Sequence, residues 1–366
     1  MYTEKELVRV AKRENNNKRK YLVVNRYQGK HIPVVPSEAL KMFGELASLI
    51  KKEYKEEQLL LIGFAETATA IGAACAAGLG CRYIQTTREA IENVNYLYFS
   101  EAHSHATEQK LVKEDIELAL PYVDRVVFIE DEVTTGNTIM NIIQIMKKQY
   151  PEELRFSIAS ILNGMDGGHL ALYEEQGIRV HYLVKTDHSG YEKEAGRYEA
   201  DGTHHGLMET GTPTELHTYE CTACLNARRL VNGYEMTDAC EKLWNQIEGL
   251  YSWKQGEKIL VLGTEEFMYP PLYTASKLEE AGCEVRYHAT TRSPIAVSRD
   301  PGYPLHERYE LRSFYEKDRV TYIYDLGRYD RVLVITDADG KEDGASLLAA
   351  LKEAGNENVS VIRWCR

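Results

Sequence analysis

"VVFIEDEVTTGNT", Val126–Thr138, decides how this chain is read. Four apolar residues run into the acids Glu130 and Asp131, and a small, hydroxyl-rich turn, Thr134–Thr138, follows shortly after. A short, solidly apolar run fits a strand buried on both faces of a parallel sheet. The carboxyl end of such a strand opens on the crevice where α/β sheets bind ligands. The turn then opens a helix at about Gly136, so successive N–H groups, the Thr134, Thr135 and Thr138 hydroxyls and the positive helix end can enclose a phosphate monoester. Carboxylates beside a phosphate would repel it unless they face something else, and vicinal ribose hydroxyls fit. The stretch therefore reads as a 5-phosphoribosyl clamp. Glu130 and Asp131 take the sugar hydroxyls or a metal, and Thr134, Thr135, Gly136, Asn137 and Thr138 take the 5-phosphate.

Working outward, apolar runs alternate with helix-like segments. Strands are expected at 21–24, 59–63, 82–85, 96–99, 126–130, 156–162 and 180–184, with helices at 37–52, 67–77, 108–118, 136–148 and 169–176. Ser37 is expected to cap the first of these helices. This alternation predicts an α/β domain built on a parallel sheet. Residues 186–220 are polar and rich in Gly and His, and read as a loop or linker. The alternation resumes at 236–250, 259–263, 273–281, 285–289, 331–335, 345–354 and 359–364, a second α/β unit. The expected domains are thus 1–185 with an N-terminal hood, an insertion or linker at 186–225, and 226–366.

The two units carry common landmarks. Leu22–Asn25 (LVVN) has an echo in Leu230–Asn232 (LVN), Leu60–Gly63 (LLIG) parallels Leu260–Gly263 (LVLG), Cys81–Glu89 parallels Cys283–Pro294, and Arg125–Asp131 (RVVFIED) parallels Arg331–Asp337 (RVLVITD). Landmarks in the same order at offsets of 200 to 207 residues predict a duplication. The second copy has lost the Thr-Gly phosphate turn, since "ADGKEDGAS" follows Asp337, and so reads as degenerate.

The chain has 366 residues and seven scattered cysteines, which predicts two domains in a reducing, cytoplasmic setting. No apolar run reaches membrane-spanning length, and the start of the chain carries no apolar signal region. A net charge of −12 argues against general nucleic-acid binding, which needs a basic face. Cys221 and Cys224, with His204, His205 and His217, form a weak zinc pattern of irregular spacing.

Val126–Thr138 resembles the thirteen-residue phosphoribosyl-pyrophosphate signature of type I, orotate-phosphoribosyltransferase-like enzymes, with Glu132 departing where that family carries an apolar residue. The resemblance implies Mg²⁺ as cofactor and transfer of 5-phosphoribosyl from phosphoribosyl pyrophosphate to a nitrogenous acceptor. It implies that the loop Gly63–Thr69, including Ala65, Glu66 and Thr67, takes the donor's pyrophosphate. Arg88 suits the same anion. The interval Phe99–Leu111 corresponds to the family's mobile catalytic loop, where His103, His105 or Lys110 would serve the leaving pyrophosphate or the acceptor. Gln28, Lys30 and His31 precede the core where related enzymes build a base-covering hood. Val261–Gly282 (VLGTEEFMYPPLYTASKLEEAG) and Thr290–Pro294 (TTRSP) resemble the TRSP domain, which accompanies such transferases in tellurium-resistance and stress gene clusters. That setting implies stress-pathway partner enzymes. The family also implies a homodimer or, given the duplication, an internal pseudo-dimer in which Arg292 reaches the first domain's site. The rival readings are a non-catalytic sensor of a phosphoribosyl compound or nucleotide, and a pathway assembly protein.

Overall fold

The computed structural model describes residues 1–14, 19–99, 109–150, 153–340, 342 and 344–365. Contacts divide the chain into two units. The first comprises Met1–Tyr2, Lys41–Thr186 and Leu225–Asp238, and the second Thr3–Leu40, Asp187–Cys224 and Ala239–Arg366.

The first unit is built on a six-stranded sheet in the order Val231–Asn232, Arg82–Gln85, Leu59–Gly63, Arg125–Val133, Arg155–Asn163, Arg179–Lys185. All neighbours are parallel except the short antiparallel strand Val231–Asn232. Leu59–Gly63 is buried at every position, as a central strand covered on both faces must be. Register creates the crevice. Gly63 lies opposite Ile129, so Glu130–Val133 run on beyond the end of the 59–63 strand while Glu130 still pairs with Ser160 on the other side.

Two expectations for this unit change. The predicted helix 108–118 is a strand, Gln109–Val112, antiparallel to Tyr96–Phe99, followed by the helix Lys113–Ala119. Leu111 and Val112 are fully buried at the end of that strand, and local helix propensity yields to this packing. The first long helix spans Pro36–Glu53, with Pro36 at its start, so Ser37 is inside it rather than its cap. Ser37 instead donates its N–H and hydroxyl to the Glu279 carboxylate, both at 2.8 Å, within the second unit.

The second unit has a five-stranded, wholly parallel sheet in the order Glu215–Cys221, Asn358–Trp364, Arg331–Thr336, Lys258–Gly263, Glu284–Ala289. Leu260, Leu262, Val332, Val334, Leu347 and Leu351 form the centre of its core. The region read as a loop or linker contributes two strands: Glu215–Cys221 is the sheet edge, and Thr203–His205 pairs with Glu307–Arg312. Its polar composition hid this, because an edge strand needs main-chain pairing on one side only and can leave most of its side chains in water. Glu307–Arg312 and Val320–Tyr324, an antiparallel pair, were also not read from the sequence.

The two sheets share a plan. Strands 82–85, 59–63, 125–133 and 155–163 lie side by side in the order that 284–289, 258–263, 331–336 and 358–364 repeat. The units also exchange segments. Thr3–Leu40, expected as the hood of the first domain, falls in the second unit, where Val34 bridges Tyr287. Reciprocally, Val231 pairs with Tyr83 in the first unit. Val34 and Val231 each stand two residues before a long helix, Pro36–Glu53 and Gly233–Glu248. The strands Arg82–Gln85 and Glu284–Ala289 are therefore each flanked by a short segment that leads into a long helix. Among the described residues no helix is long and apolar enough to cross a membrane.

Candidate active site

The overhang of the 125–133 strand carries the three acids Glu130, Asp131 and Glu132, all half-buried. Side chains alternate along a strand, which puts Glu130 and Glu132 on one face and Asp131 on the other. Asp131 meets the loop after the 59–63 strand, where Thr67 Oγ1 donates to Asp131 Oδ1 at 2.8 Å. Burial, with the Asp131 and Glu132 charges, pushes the Glu130 carboxyl well above its ordinary value. Burial and Glu132 also raise Asp131, with the Thr67 hydrogen bond pulling partly the other way. The strand therefore holds carboxylates that repel one another, and a cation or hydroxyl donors would relieve them.

Thr134 and Thr135 follow, half-buried, and Gly136 begins the helix Asn137–Gln149 with φ of 75°. A Cβ at Gly136 would lie 2.7 Å from the Tyr173 hydroxyl and 2.8 Å from Met165 Cε, so only glycine fits that left-handed position. The Tyr173 hydroxyl donates to Gly136 O at 2.6 Å and anchors the turn from below. The helix start has no side-chain cap, Asn137 is exposed and Thr138 half-buried. First-turn N–H groups at such an end suit an anion.

The Gly63–Thr69 loop is held by its own main chain. Phe64 N–H donates to Ile129 O at 3.1 Å, Ala65 N–H to Thr86 Oγ1 at 2.8 Å, and Ala68 N–H to Phe64 O at 2.9 Å. Ala65 thus fixes the loop rather than offering its N–H outward. Glu66 is buried, its carbonyl accepts from Thr69 Oγ1 at 3.2 Å, and the Ala65–Glu66 peptide is cis. Gly63 is required by packing, since a Cβ there would meet Tyr83 Oη at 2.6 Å. Arg88 is half-buried just beyond Thr86 and Thr87, at the same sheet edge.

His103 and His105 lie outside the described residues. Lys110 is bound into the hairpin, exchanging main-chain hydrogen bonds with Thr87 at 2.9 and 3.1 Å. Its amine sits 4.5 Å from the Tyr96 ring centroid. In the second unit, Lys30 Nζ donates to the carbonyls of Glu265 and Thr290 at 2.7 and 2.8 Å, and Gln28 and His31 are buried. Arg292 pairs with Glu265 at 2.7 Å and Glu266 at 3.4 Å, so it is engaged within its own unit. The zinc pattern disperses. His205 bonds Glu307 at 2.7 Å and stacks on Tyr309, His217 stacks on Tyr219, and Cys221 is buried in a strand. Among the described residues no group of three or more His, Cys, Asp or Glu is arranged to hold a metal ion.

Sequence reasoning missed two cations near this edge. Arg228 is buried in the first unit, next to Ala227, whose carbonyl accepts from Gln85 N–H at 2.9 Å at the end of the 82–85 strand. Lys185 Nζ donates to Met165 O at 2.6 Å, beside the residue that packs under Gly136. The only available signal for Arg228 was a paired Arg228-Arg229 just before the repeated Val-Asn landmark.

The family described as "Phosphoribosyl transferase" matches residues 7–187, and "TRSP domain C terminus to PRTase_2" matches 232–351. A search of curated proteins found no match. Among solved structures, adenine phosphoribosyltransferase from Rhodothermus marinus shares 14% identity with a TM-score of 0.35, over 50% of this chain and 96% of that one. Adenine phosphoribosyltransferase from Giardia lamblia, in complex with 9-deazaadenine, gives 14% and 0.35 over 50% and 95%. Orotate phosphoribosyltransferase from Mycobacterium tuberculosis gives 16% and 0.31 over 50% and 91%. The chain carries a phosphoribosyl transferase domain, matched over residues 7–187, and a C-terminal TRSP domain, matched over residues 232–351.

Proposed function

We propose that the first unit transfers 5-phosphoribosyl from phosphoribosyl pyrophosphate to a nitrogenous acceptor, releasing pyrophosphate. One observation carries the reading. The Thr67–Asp131 hydrogen bond joins the strand–helix loop to the acidic strand beside the Gly136 helix start, so loop, acids and anion cradle occupy one sheet edge. Asp131 and Glu130 hold the ribose hydroxyls. Thr134, Thr135, Gly136, Asn137 and Thr138 hold the 5-phosphate. Thr67 orients Asp131, and Arg88 with the buried Arg228 balances the pyrophosphate charge as it departs. The work of these groups is positioning and electrostatic stabilisation.

Glu130 and Asp131, carboxylates that repel one another, are the residues that would hold a divalent cation. When bound, Mg²⁺ neutralises charge on the pyrophosphate. All seven cysteines are free thiols, which supports a cytoplasmic setting. The test is calorimetric titration with phosphoribosyl pyrophosphate and Mg²⁺, followed by a screen of nitrogenous acceptors for pyrophosphate release. Binding that no acceptor converts to release would favour the sensor, and absence of binding by folded protein would overturn the donor assignment.

A further inference from the structure

The shared plan of the two sheets extends to individual hydrogen bonds. In the first unit Ala65 N–H donates to Thr86 Oγ1 at 2.8 Å and Thr86 N–H to Gly63 O at 2.9 Å. In the second, Glu265 N–H donates to Thr290 Oγ1 at 3.0 Å and Thr290 N–H to Gly263 O at 3.1 Å. Tyr83 and Tyr287 each send their hydroxyl 3.0 Å to a carbonyl at the start of the preceding helix, of Thr69 and Met268 respectively. Gly136 and Gly344, with φ of 75° and 74°, begin equivalent helices. Position 265 is therefore the counterpart of position 65, and Thr290-Thr291-Arg292 that of Thr86-Thr87-Arg88.

The equivalent loops differ at one side chain of consequence. Where the first unit has the methyl of Ala65, the second has the carboxylate of Glu265, 1% exposed. Its oxygens accept from Arg292 Nε at 2.7 Å, from an Arg319 guanidinium nitrogen at 2.9 Å, and from the Ser313 hydroxyl. Glu266 adds a contact to Arg292 at 3.4 Å. Two arginines and a hydroxyl converging on two oxygens is the donor set that recognises a phosphate group, and here an internal carboxylate fills it.

We propose that the second unit is a closed copy of the first: Glu265 stands where a diphosphate oxygen group would, so the chain has one open diphosphate site, in the first unit, and a latent one beneath Glu265. This rests on the reading of the first unit as a diphosphate site, and the identity of residue 65 or 265 decides which copy is open. Neighbouring sequence agrees, because after Asp337, the counterpart of Asp131, the acids Asp339 and Glu342 stand where the first copy has its Thr-Gly turn.

The probe is inorganic pyrophosphate, titrated calorimetrically into the full chain. Wild type should take one equivalent, Glu265→Ala two, Ala65→Glu none, and Ala65→Glu with Glu265→Ala one. Pyrophosphate should also raise the thermal midpoint of Glu265→Ala more than that of wild type, because it replaces the lost counter-charge of two half-buried arginines. Where Glu265→Ala does not fold, Glu265→Ser likewise removes both the charge and the side chain from the donor set and carries the same expectation of an added equivalent. Two equivalents in wild type, or no added equivalent in a folded Glu265 variant, would overturn the proposal. If wild type binds none while Glu265→Ala binds one, the reading of the first unit fails and the latent site stands.

Discussion

Replacing Asp131 with Asn separates binding from stability, because the structure sets the two effects in opposite directions. Burial and Glu132 raise the Asp131 carboxyl, so in the ligand-free fold its charge is a cost. The Asn carbonyl oxygen still accepts from Thr67 Oγ1, which now meets Asp131 Oδ1 at 2.8 Å. The variant should therefore melt no lower than wild type at neutral pH. Binding should weaken. The amide keeps one acceptor but loses the charge and the second one, equivalent to one charge-assisted hydrogen bond to a ribose hydroxyl, about 1.5–3 kcal/mol. At 1.4 kcal/mol per decade this is roughly a 10- to 150-fold rise in Kd. Calorimetry with phosphoribosyl pyrophosphate and Mg²⁺, paired with thermal unfolding, reads both. A Kd within about twofold of wild type (roughly 0.4 kcal/mol) would remove Asp131 from the clamp. A large fall in thermal midpoint with lost binding would make Asp131 a structural residue instead.

Gly136→Ala adds a left-handed penalty of about 1–2 kcal/mol to a clash with Tyr173 and Met165, so it should destabilise by about 2–4 kcal/mol and abolish donor binding in whatever folds, as denaturant melts and titration would show. Glu130 has a folded pKa above its unfolded one, so its contribution to stability falls as pH rises from about 4.5 through the folded value. Glu130→Gln should therefore be more stable than wild type at pH 7 and gain nothing at pH 4; equal gains at both would show that charge is not the cause. Arg229 holds the buried Asp115 at 2.6 and 2.9 Å, and its loss should cost about 1–3 kcal/mol, discounted because the guanidinium is partly exposed. Although burial works to raise the Asp115 carboxyl, its bonds to Arg229 and to Leu230 N–H lower it overall. That stability is present above the ordinary 3.8 and lost as pH falls through the lowered folded value, so the Arg229→Ala penalty should shrink in acid. A penalty that is flat with pH would show that lost packing, not charge, is responsible.

Much of the candidate site was legible because it is local. Glu130 to Thr138 are contiguous, and the chemistry of an apolar strand, acids and a glycine turn follows from residue type and spacing alone. Gly63 shows the limit: it opens the loop read as a pyrophosphate binder, but only the structure shows that Tyr83 leaves no room for a side chain there. Ala65 shows it again, since its N–H is committed to Thr86, twenty-one residues away in sequence.

The alternating apolar runs by themselves determined two parallel α/β sheets and the repeated landmarks that relate them, because strand burial and helix periodicity are written in short windows. Only the tertiary structure decided that Val34 and Val231 flank Tyr287 and Tyr83, that the polar run Glu215–Cys221 is a sheet edge, and that Glu265 closes on Arg292 and Arg319. Main-chain pairing is indifferent to side-chain identity, and a carboxylate's partner is chosen by which cations the fold brings within reach, so neither is encoded in local spacing.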